Sequence, residues 1–372
     1  MKVRRVLVTA GIFPPDIGGP ATYAQTLLAS RPLEGIELTL LNFSSLLRIP
    51  RGLRHLWFLV QVLIHGRKAD VFLALDPVSV GLPTLFAAWI LGRPFVLRIG
   101  GDYAWEQSVE RLGVEDDLNR FLDSRYGWRV ELLKGIERMV ARRAARVIVT
   151  DRYMQGVLEK WKVRPDKVVI ITNAFDVSGI RVTRDEARRM LHLRGPLVVS
   201  MGRLLRWKGF AKLIDVVASL RSDFPDVSLA IVGSGPQAGD LANSVKEADL
   251  DQTVLLPGGL PHDRALLYLK AADVFVLNSA GEGMSHSILE AMALGTPVVA
   301  TRAGGNPDLI EHGKSGWLVA PHDEADLRSA IRELLKDPER AALLASGASQ
   351  SLGRFDKGRM VRETISVLRS VA

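Results

Sequence analysis

Two kinds of apolar segment alternate along this chain. Compact runs at Val6–Thr9, Ile36–Leu41, Val71–Leu75, Phe95–Ile99 and Val147–Val149 are rich in branched residues and too short for helices. Between them, Ala21–Ala29, Leu53–Ile64, Pro83–Leu91 and Glu131–Ala145 read as helices. Runs that are apolar at every position, rather than at every second one, mark strands covered on both faces. The pattern therefore predicts a parallel sheet between helical layers. After Val168–Asp176 the alternation starts again, with strands at Leu197–Met201, Leu229–Val232, Val254–Leu256, Val274–Leu277, Val298–Ala300 and Trp317–Val319. The fold class expected is α/β with two domains, 1–176 and 177–352, and a C-terminal helix over 353–372 returning toward the first domain.

Composition agrees with that size of core: of 372 residues, 47% are hydrophobic and 24% charged. The absence of cysteine excludes disulfides, thiolate metal sites and a thiol nucleophile. Met1–Thr9 runs directly into a core-like strand, and no uninterrupted apolar run reaches the ~18 residues of a spanning helix, so a cytoplasmic protein is expected. The net charge is +8, and the excess lies early: residues 1–180 hold 25 Lys and Arg against 18 Asp and Glu. A basic half points to an anionic partner, whether a phospholipid surface, a lipid-phosphate acceptor or nucleic acid.

The segment richest in chemistry is Glu282-Gly283-Met284-Ser285-His286-Ser287-Ile288-Leu289-Glu290, followed by Ala291–Leu294 and Gly295-Thr296-Pro297. It joins two apolar runs, so it reads as the loop and helix of a βαβ unit. Glu290 falls about one and a half turns past the expected N-cap Ser285, at ~3.6 residues per turn. One carboxylate then sits at the mouth of the sheet and the other on the helix behind it. Between them lie backbone N–H groups suited to a diphosphate. Gly202-Arg203-Leu204-Leu205-Arg206-Trp207-Lys208-Gly209 similarly leads from a strand into the helix Phe210–Leu220. Arg203 offers a planar fork of donors and Lys208 a compact charge, enough to neutralise a diphosphate without a metal.

These two segments resemble signatures of the retaining, metal-independent family 4 glycosyltransferases (glycosyl transferases group 1), namely Glu-x7-Glu and Gly-Arg-Leu-x-x-x-Lys-Gly. The resemblance covers nearly the whole chain and is strongest over residues 197–320. It implies the GT-B fold, two Rossmann-like domains facing each other across a cleft, with the acceptor on the first and a nucleotide-sugar on the second. By this resemblance Glu290 binds the donor ribose and Glu282, the candidate catalytic residue, lies against the transferred sugar. Arg203, Lys208, Gly283, Met284 and Ser285 take the diphosphate, joined by Gly18 and Gly19. Gly258 and Leu260 lie near the base. The reaction implied moves a hexose-type sugar from a UDP- or GDP-sugar to a glycan, lipid-linked or small-molecule acceptor, as in cell-envelope polysaccharide synthesis. No cofactor and no metal are expected.

Three features test that reading. Gly233-Ser234-Gly235-Pro236-Gln237-Ala238 follows a strand and fits a dinucleotide fingerprint, yet the next strand, Val254–Leu256, ends in Pro257-Gly258-Gly259 without the acidic residue that holds a ribose. Asp249-Leu250-Asp251 has the form of a metal motif but lies in a polar stretch that reads as a surface turn. His286 is open to ligand contact or to a place in the first helical turn. In the first half, Asp102 stands where many family members carry a histidine. It reads as a second catalytic candidate, a general base or a partner of the sugar, or as an ordinary turn aspartate. Arg48, Arg51, Arg54, His55, Arg67 and Lys68 flank an apolar helix containing Trp57 and Phe58. Two readings follow: a peripheral contact with an anionic membrane, at its cytoplasmic face, or a core helix with charged ends. Nucleic acid is not expected as a partner. The rival functions are a sugar-nucleotide epimerase of similar fold and a non-catalytic anion- or nucleic-acid-binding protein.

Overall fold

The computed structural model describes residues 5–14, 18–30, 35–46 and 49–371. The chain divides into two compact units, residues 1–173 with 357–372, and residues 174–356. Each is built on a parallel sheet of six strands among the described residues.

In the first unit the strands are β1 (Arg5–Ala10), β2 (Glu37–Asn42), β3 (Val71–Ala74), β4 (Phe95–Ile99), β5 (Arg146–Val149) and β6 (Val168–Ile170), in the order β2-β1-β3-β4-β5-β6. β3 and β4 are buried at every position, as their unbroken apolar runs require. The glycine-rich segment does not stay a loop to its end: the first helix already begins at Gly19, with Gly18 at the cap and Pro20 in the first turn. Proline there arrives with its φ set for the helix and has no N–H to leave orphaned. Residues 15–17 of that segment lie outside the described residues. The last helix, Lys357–Ser370, packs in this unit, where Thr364 Oγ1 meets Tyr23 Oη of the first helix at 2.6 Å.

The second unit has β7 (Leu197–Met201), β8 (Ser228–Val232), β9 (Val254–Gly258), β10 (Val274–Leu277), β11 (Val298–Thr301) and β12 (Trp317–Val319), ordered β12-β11-β10-β7-β8-β9. Consecutive residues of β10 face opposite layers. Val274 and Val276 pack with Phe210, Val217 and Ile331, while Phe275 and Leu277 pack with Ile288, Leu289 and Met292. The chain runs outward from β7 through β9, then returns to lay β10 on the other side of β7. That reversal opens a crevice beyond the carboxyl ends of β7 and β10, the place where doubly wound sheets take ligands.

Candidate active site

Both chemistry-bearing segments of the second unit emerge at this reversal. Leu204 to Gly209 leave β7, and Asn278 to Ser285 leave β10. The two loops are stitched together: Ala280 N donates to Trp207 O at 2.7 Å, and Asn278 Nδ2 donates to Gly209 O at 3.1 Å. Across the stitch, Lys208 Nζ donates to Glu282 Oε1, which also accepts from Ser279 Oγ at 3.3 Å. Their side chains are only 15% and 13% exposed, so this ion pair works in a medium far less screening than bulk water. The loop after β11 fixes the backbone of Glu282, whose carbonyl accepts from Gly305 N at 3.0 Å. Gly304, at φ +55°, presses against it so closely that a Cβ would lie 1.8 Å from Glu282 O. Arg203 is exposed at the rim and makes no side-chain hydrogen bond with the described residues.

The helix His286–Ala293 starts at this crevice, with Ser285 Oγ capping it through Ile288 N. Its first-turn N–H groups have no partner within the helix. Glu290 sits on it at 7% exposure, in a layer otherwise filled by Ile288, Leu289 and Met292. Glu290 Oε1 meets Nε2 of His262 at 2.8 Å. That hydrogen bond, first among the causes, raises the His262 pKa above its ordinary 6.5, with burial acting against it. His262 Nε2 holds one oxygen of Glu290, and Oε2 has no partner in this contact. Gly258 ends β9, and its carbonyl accepts from Gly233 N at 2.9 Å; Leu260 follows, half-buried.

The other expected site residues, Gly18, Gly19 and Asp102, lie in the first unit. Asp102 is 1% exposed and caps the helix Tyr103–Arg111, its Oδ1 accepting from Trp105 N at 2.7 Å. Glu137 caps the same helix start through Ala104 N at 3.1 Å. The remaining oxygens, Asp102 Oδ2 and Glu137 Oε1, are buried and have no N–H or hydroxyl donor. Two carboxyls buried together do not both ionise readily, so the pair retains a proton. Burial pushes Asp102 up to about 6, and burial together with the Asp102 charge raises Glu137 well above the usual range.

Residues 183–350 match the family described as Glycosyl transferases group 1, and residues 5–174 match the Glycosyl transferase 4-like domain. The chain belongs to the family 4 glycosyltransferases. Among its relatives, a D-inositol 3-phosphate glycosyltransferase of Corynebacterium urealyticum is 28% identical over 238 residues, 60% of this chain and 56% of that protein. A GDP-mannose-dependent alpha-(1-6)-phosphatidylinositol monomannoside mannosyltransferase of Mycolicibacterium smegmatis is 37% identical over 156 residues, 40% and 41% of the two chains. The chain thus spans about half the length of the curated relatives it matches. HepE of Anabaena, solved with UDP and glucose, shares the fold at a TM-score of 0.79 and 22% identity, over 99% of this chain and all of the other.

In this family 4 chain the dinucleotide-like turn has a structural task. Gly233 packs on the Arg203 loop so tightly that a Cβ would lie 1.8 Å from Gly202 O, and Leu204 N donates to Ser234 O at 3.0 Å. Glycine at this position lets the two loops pack backbone against backbone. Asp249 and Asp251 are exposed in the turn between the helix Ala238–Glu247 and β9. His286 Nδ1 lies 3.1 Å from Ala174 O. Two residues escaped the sequence reading. His262 was signalled only by its place at a helix start just after β9. Asp76 lies two residues past the end of β3, beside the reversal between β1 and β3, and its Oδ1 accepts from the N–H groups of Val78, Ser79 and Val80 at 3.0, 2.6 and 3.3 Å. Burial raises Asp76 to about 6 against those three donors.

The retained proton of the first unit has a measurable consequence. Folded, Asp102 and Glu137 hold a proton that the unfolded chain releases at lower pH. The Asp102 part of this contribution therefore stabilises the fold in acid and is lost as pH rises through about 6, and the Glu137 part, raised well above the usual range, is lost at higher pH. Glu137→Gln keeps an acceptor for Ala104 N and offers Asp102 Oδ2 an N–H donor. The variant's Tm should fall less than the parent's between pH ~5 and ~8. Parallel Tm profiles in the two proteins would contradict the retained proton.

Proposed function

We propose that this chain transfers a hexose-type sugar, with retention at the anomeric carbon, from a UDP- or GDP-sugar to a glycan, lipid-linked or small-molecule acceptor, without a metal. The observation carrying this reading is the Lys208–Glu282 pair at the reversal between β7 and β10, beside the start of the helix that bears Glu290. As the bond from the anomeric carbon to the diphosphate oxygen breaks, that oxygen takes the electron pair. Lys208, Arg203 and the helix N–H groups past Ser285, with Gly283 and Met284, stand ready to meet its charge. Fixed donors aimed at developing charge stabilise the transition state more than the bound donor. Glu290 takes the ribose, Gly258 and Leu260 border the base, and Glu282 orients the sugar. Gly18 and Gly19 are assigned phosphate contacts on the resemblance alone. Asp102, closed in its cap, is assigned to holding a helix start rather than to proton transfer.

The named relatives support donors of the UDP- and GDP-sugar type and acceptors bearing inositol phosphate. An acceptor of that kind carried on a lipid would place the protein at the cytoplasmic face of an anionic membrane, as a peripheral protein. Among the described residues, no helix is long and apolar enough to cross a membrane. The test is transfer from UDP-glucose or GDP-mannose to inositol phosphate or phosphatidylinositol, in EDTA, with the product anomer read by NMR. An α-linked product formed at undiminished rate is expected. Complete loss restored by Mg²⁺ or Mn²⁺, or an inverted product, would contradict the proposal. An isomerised donor without acceptor would favour the epimerase.

A further inference from the structure

We infer that a cavity in the first unit is a saccharide subsite, holding a sugar ring that the acceptor carries beside the one that reacts. The long helix Trp128–Arg143 places it. Just past that helix, Ala145 N donates to Phe95 O, at the start of β4, at 2.8 Å. Six residues before the helix ends, Glu137 accepts from Ala104 N, five residues past the end of β4. Read from its end to its start, the helix therefore runs along β4 toward the carboxyl end of the sheet. Trp128 lies nine residues beyond Glu137, ~13 Å at 1.5 Å per residue, and so overhangs that end. A second segment is folded against this overhang. Val114 N donates to Ser108 O at 3.2 Å, Trp105 Nε1 donates to Asp116 O at 2.9 Å, and Tyr126 Oη donates to Asp116 Oδ2 at 2.6 Å. Between these anchored segments, residues 112–116 and 126–130, lies a cavity of about 500 Å³. That is within the roughly 300–1,000 Å³ usual for small-molecule sites.

The lining suits a sugar. Trp128 is 73% exposed at the rim, and Leu132, one turn on, is 54% exposed. Val114 and Val130, both buried, give the cavity an apolar floor. Arg129 lies over the Trp128 ring, 5.4 Å from its centre. Its guanidinium makes no hydrogen bond or ion pair with the described residues, and neither does the carboxylate of Glu115. Asp116, the other acid of the lining, is engaged by Tyr126 and by Arg120 Nε at 3.1 Å. The free charges are therefore one of each sign. A pyranose has a face of C–H groups and a rim of hydroxyls that both donate and accept. The indole matches that face. Glu115 can accept from the rim and Arg129 can donate to it, in charge-assisted hydrogen bonds. With no net charge to offer, the cavity favours a neutral ligand over a phosphate. It differs in this from the helix Arg51–Gly66, where Arg54, Arg67 and Lys68 stand without an acid and Arg48 lies outside the described residues.

This inference rests on the acceptor reading and narrows it: an acceptor bearing a second sugar ring should bind better than the same acceptor without it. Its test needs no transfer. The probes are methyl α-glucoside, methyl α-mannoside, methyl α-galactoside and methyl N-acetyl-α-glucosaminide, each titrated with UDP and GDP present to occupy the donor crevice. Saturation-transfer NMR and tryptophan fluorescence read the binding. The parent should bind at least one of the four with a Kd of ~1–10 mM. Trp128→Ala should weaken that binding by about 10-fold or more, and Glu115→Gln by about 3- to 10-fold. Both side chains are exposed, so both variants should keep the parent's Tm and its affinity for nucleoside diphosphate. A parent that binds a glycoside but no nucleotide would sink the transferase reading and leave this site standing. Failure of all four glycosides to bind the parent would overturn the inference, as would binding indifferent to both variants or displacement of the glycoside by inorganic phosphate. So would a parent dimer that Trp128→Ala converts to monomer, because a second copy would then cover the indole.

Discussion

Lys208→Ala is expected to lower kcat/KM by ~10²–10³, the usual cost of losing one donor aimed at developing charge. In the free protein the ammonium is held by Glu282, and both side chains are largely withdrawn from water. On the proposed reading, a donor diphosphate arriving in the crevice has to draw Lys208 from that carboxylate or share it. Either event re-aims Glu282, so a single exchange would charge-match the leaving group and free a carboxylate for the sugar hydroxyls. Truncation removes both effects. It also leaves Glu282 with Ser279 as its remaining donor, so Tm should drop modestly. Adding Glu282→Gln removes the unpaired charge and should recover that Tm without recovering activity. Kinetics of Lys208→Ala near the parent's would withdraw the lysine from the mechanism.

The sheets were legible because apolar continuity over three to six residues, repeated between helical stretches, has few other meanings. Eleven of the twelve strands among the described residues fall where the runs place them; the twelfth, Val168–Ile170, opens the segment read only as the close of the first half. Less visible were the short helices Tyr103–Arg111, Leu118–Asp123 and Arg152–Lys160, of nine, six and nine residues. Their starts are set by the caps Asp102, Asp117 and Asp151, each accepting from the N–H three residues on. The local Asp signals were there, but a lone aspartate in a loop reads equally well as a turn. Pairs between distant residues were out of reach. Asp102 meets Glu137 from 35 residues away, and His262 meets Glu290 from 28. Neither separation has a periodicity to betray it, because both contacts exist only once helices pack. The Lys208 and Glu282 segments were recognisable singly, through their motifs. Their contact depends on the strand order that lays β10 against β7.

The ribose role proposed for Glu290 gives the second large effect and the most direct test. A carboxylate in an apolar helix layer, with one oxygen held by His262, is oriented before any ligand arrives. A ribose hydroxyl donating to the other oxygen makes a hydrogen bond to a charged group. Such a bond contributes ~1.5–3 kcal/mol, or about 10- to 150-fold in affinity. Calorimetric titration of the parent and of Glu290→Gln with UDP, GDP and ADP, each beside its 2′-deoxy and 3′-deoxy forms, reads this without knowledge of sugar or acceptor. The account predicts that the parent binds at least one of the three and loses about 10-fold or more when a ribose hydroxyl is removed. Glu290→Gln should bind that nucleotide and its deoxy forms nearly alike. A parent that binds none of the three, or that binds ribo and deoxy forms equally, would contradict the claim that the crevice between β7 and β10 is a nucleotide-sugar site.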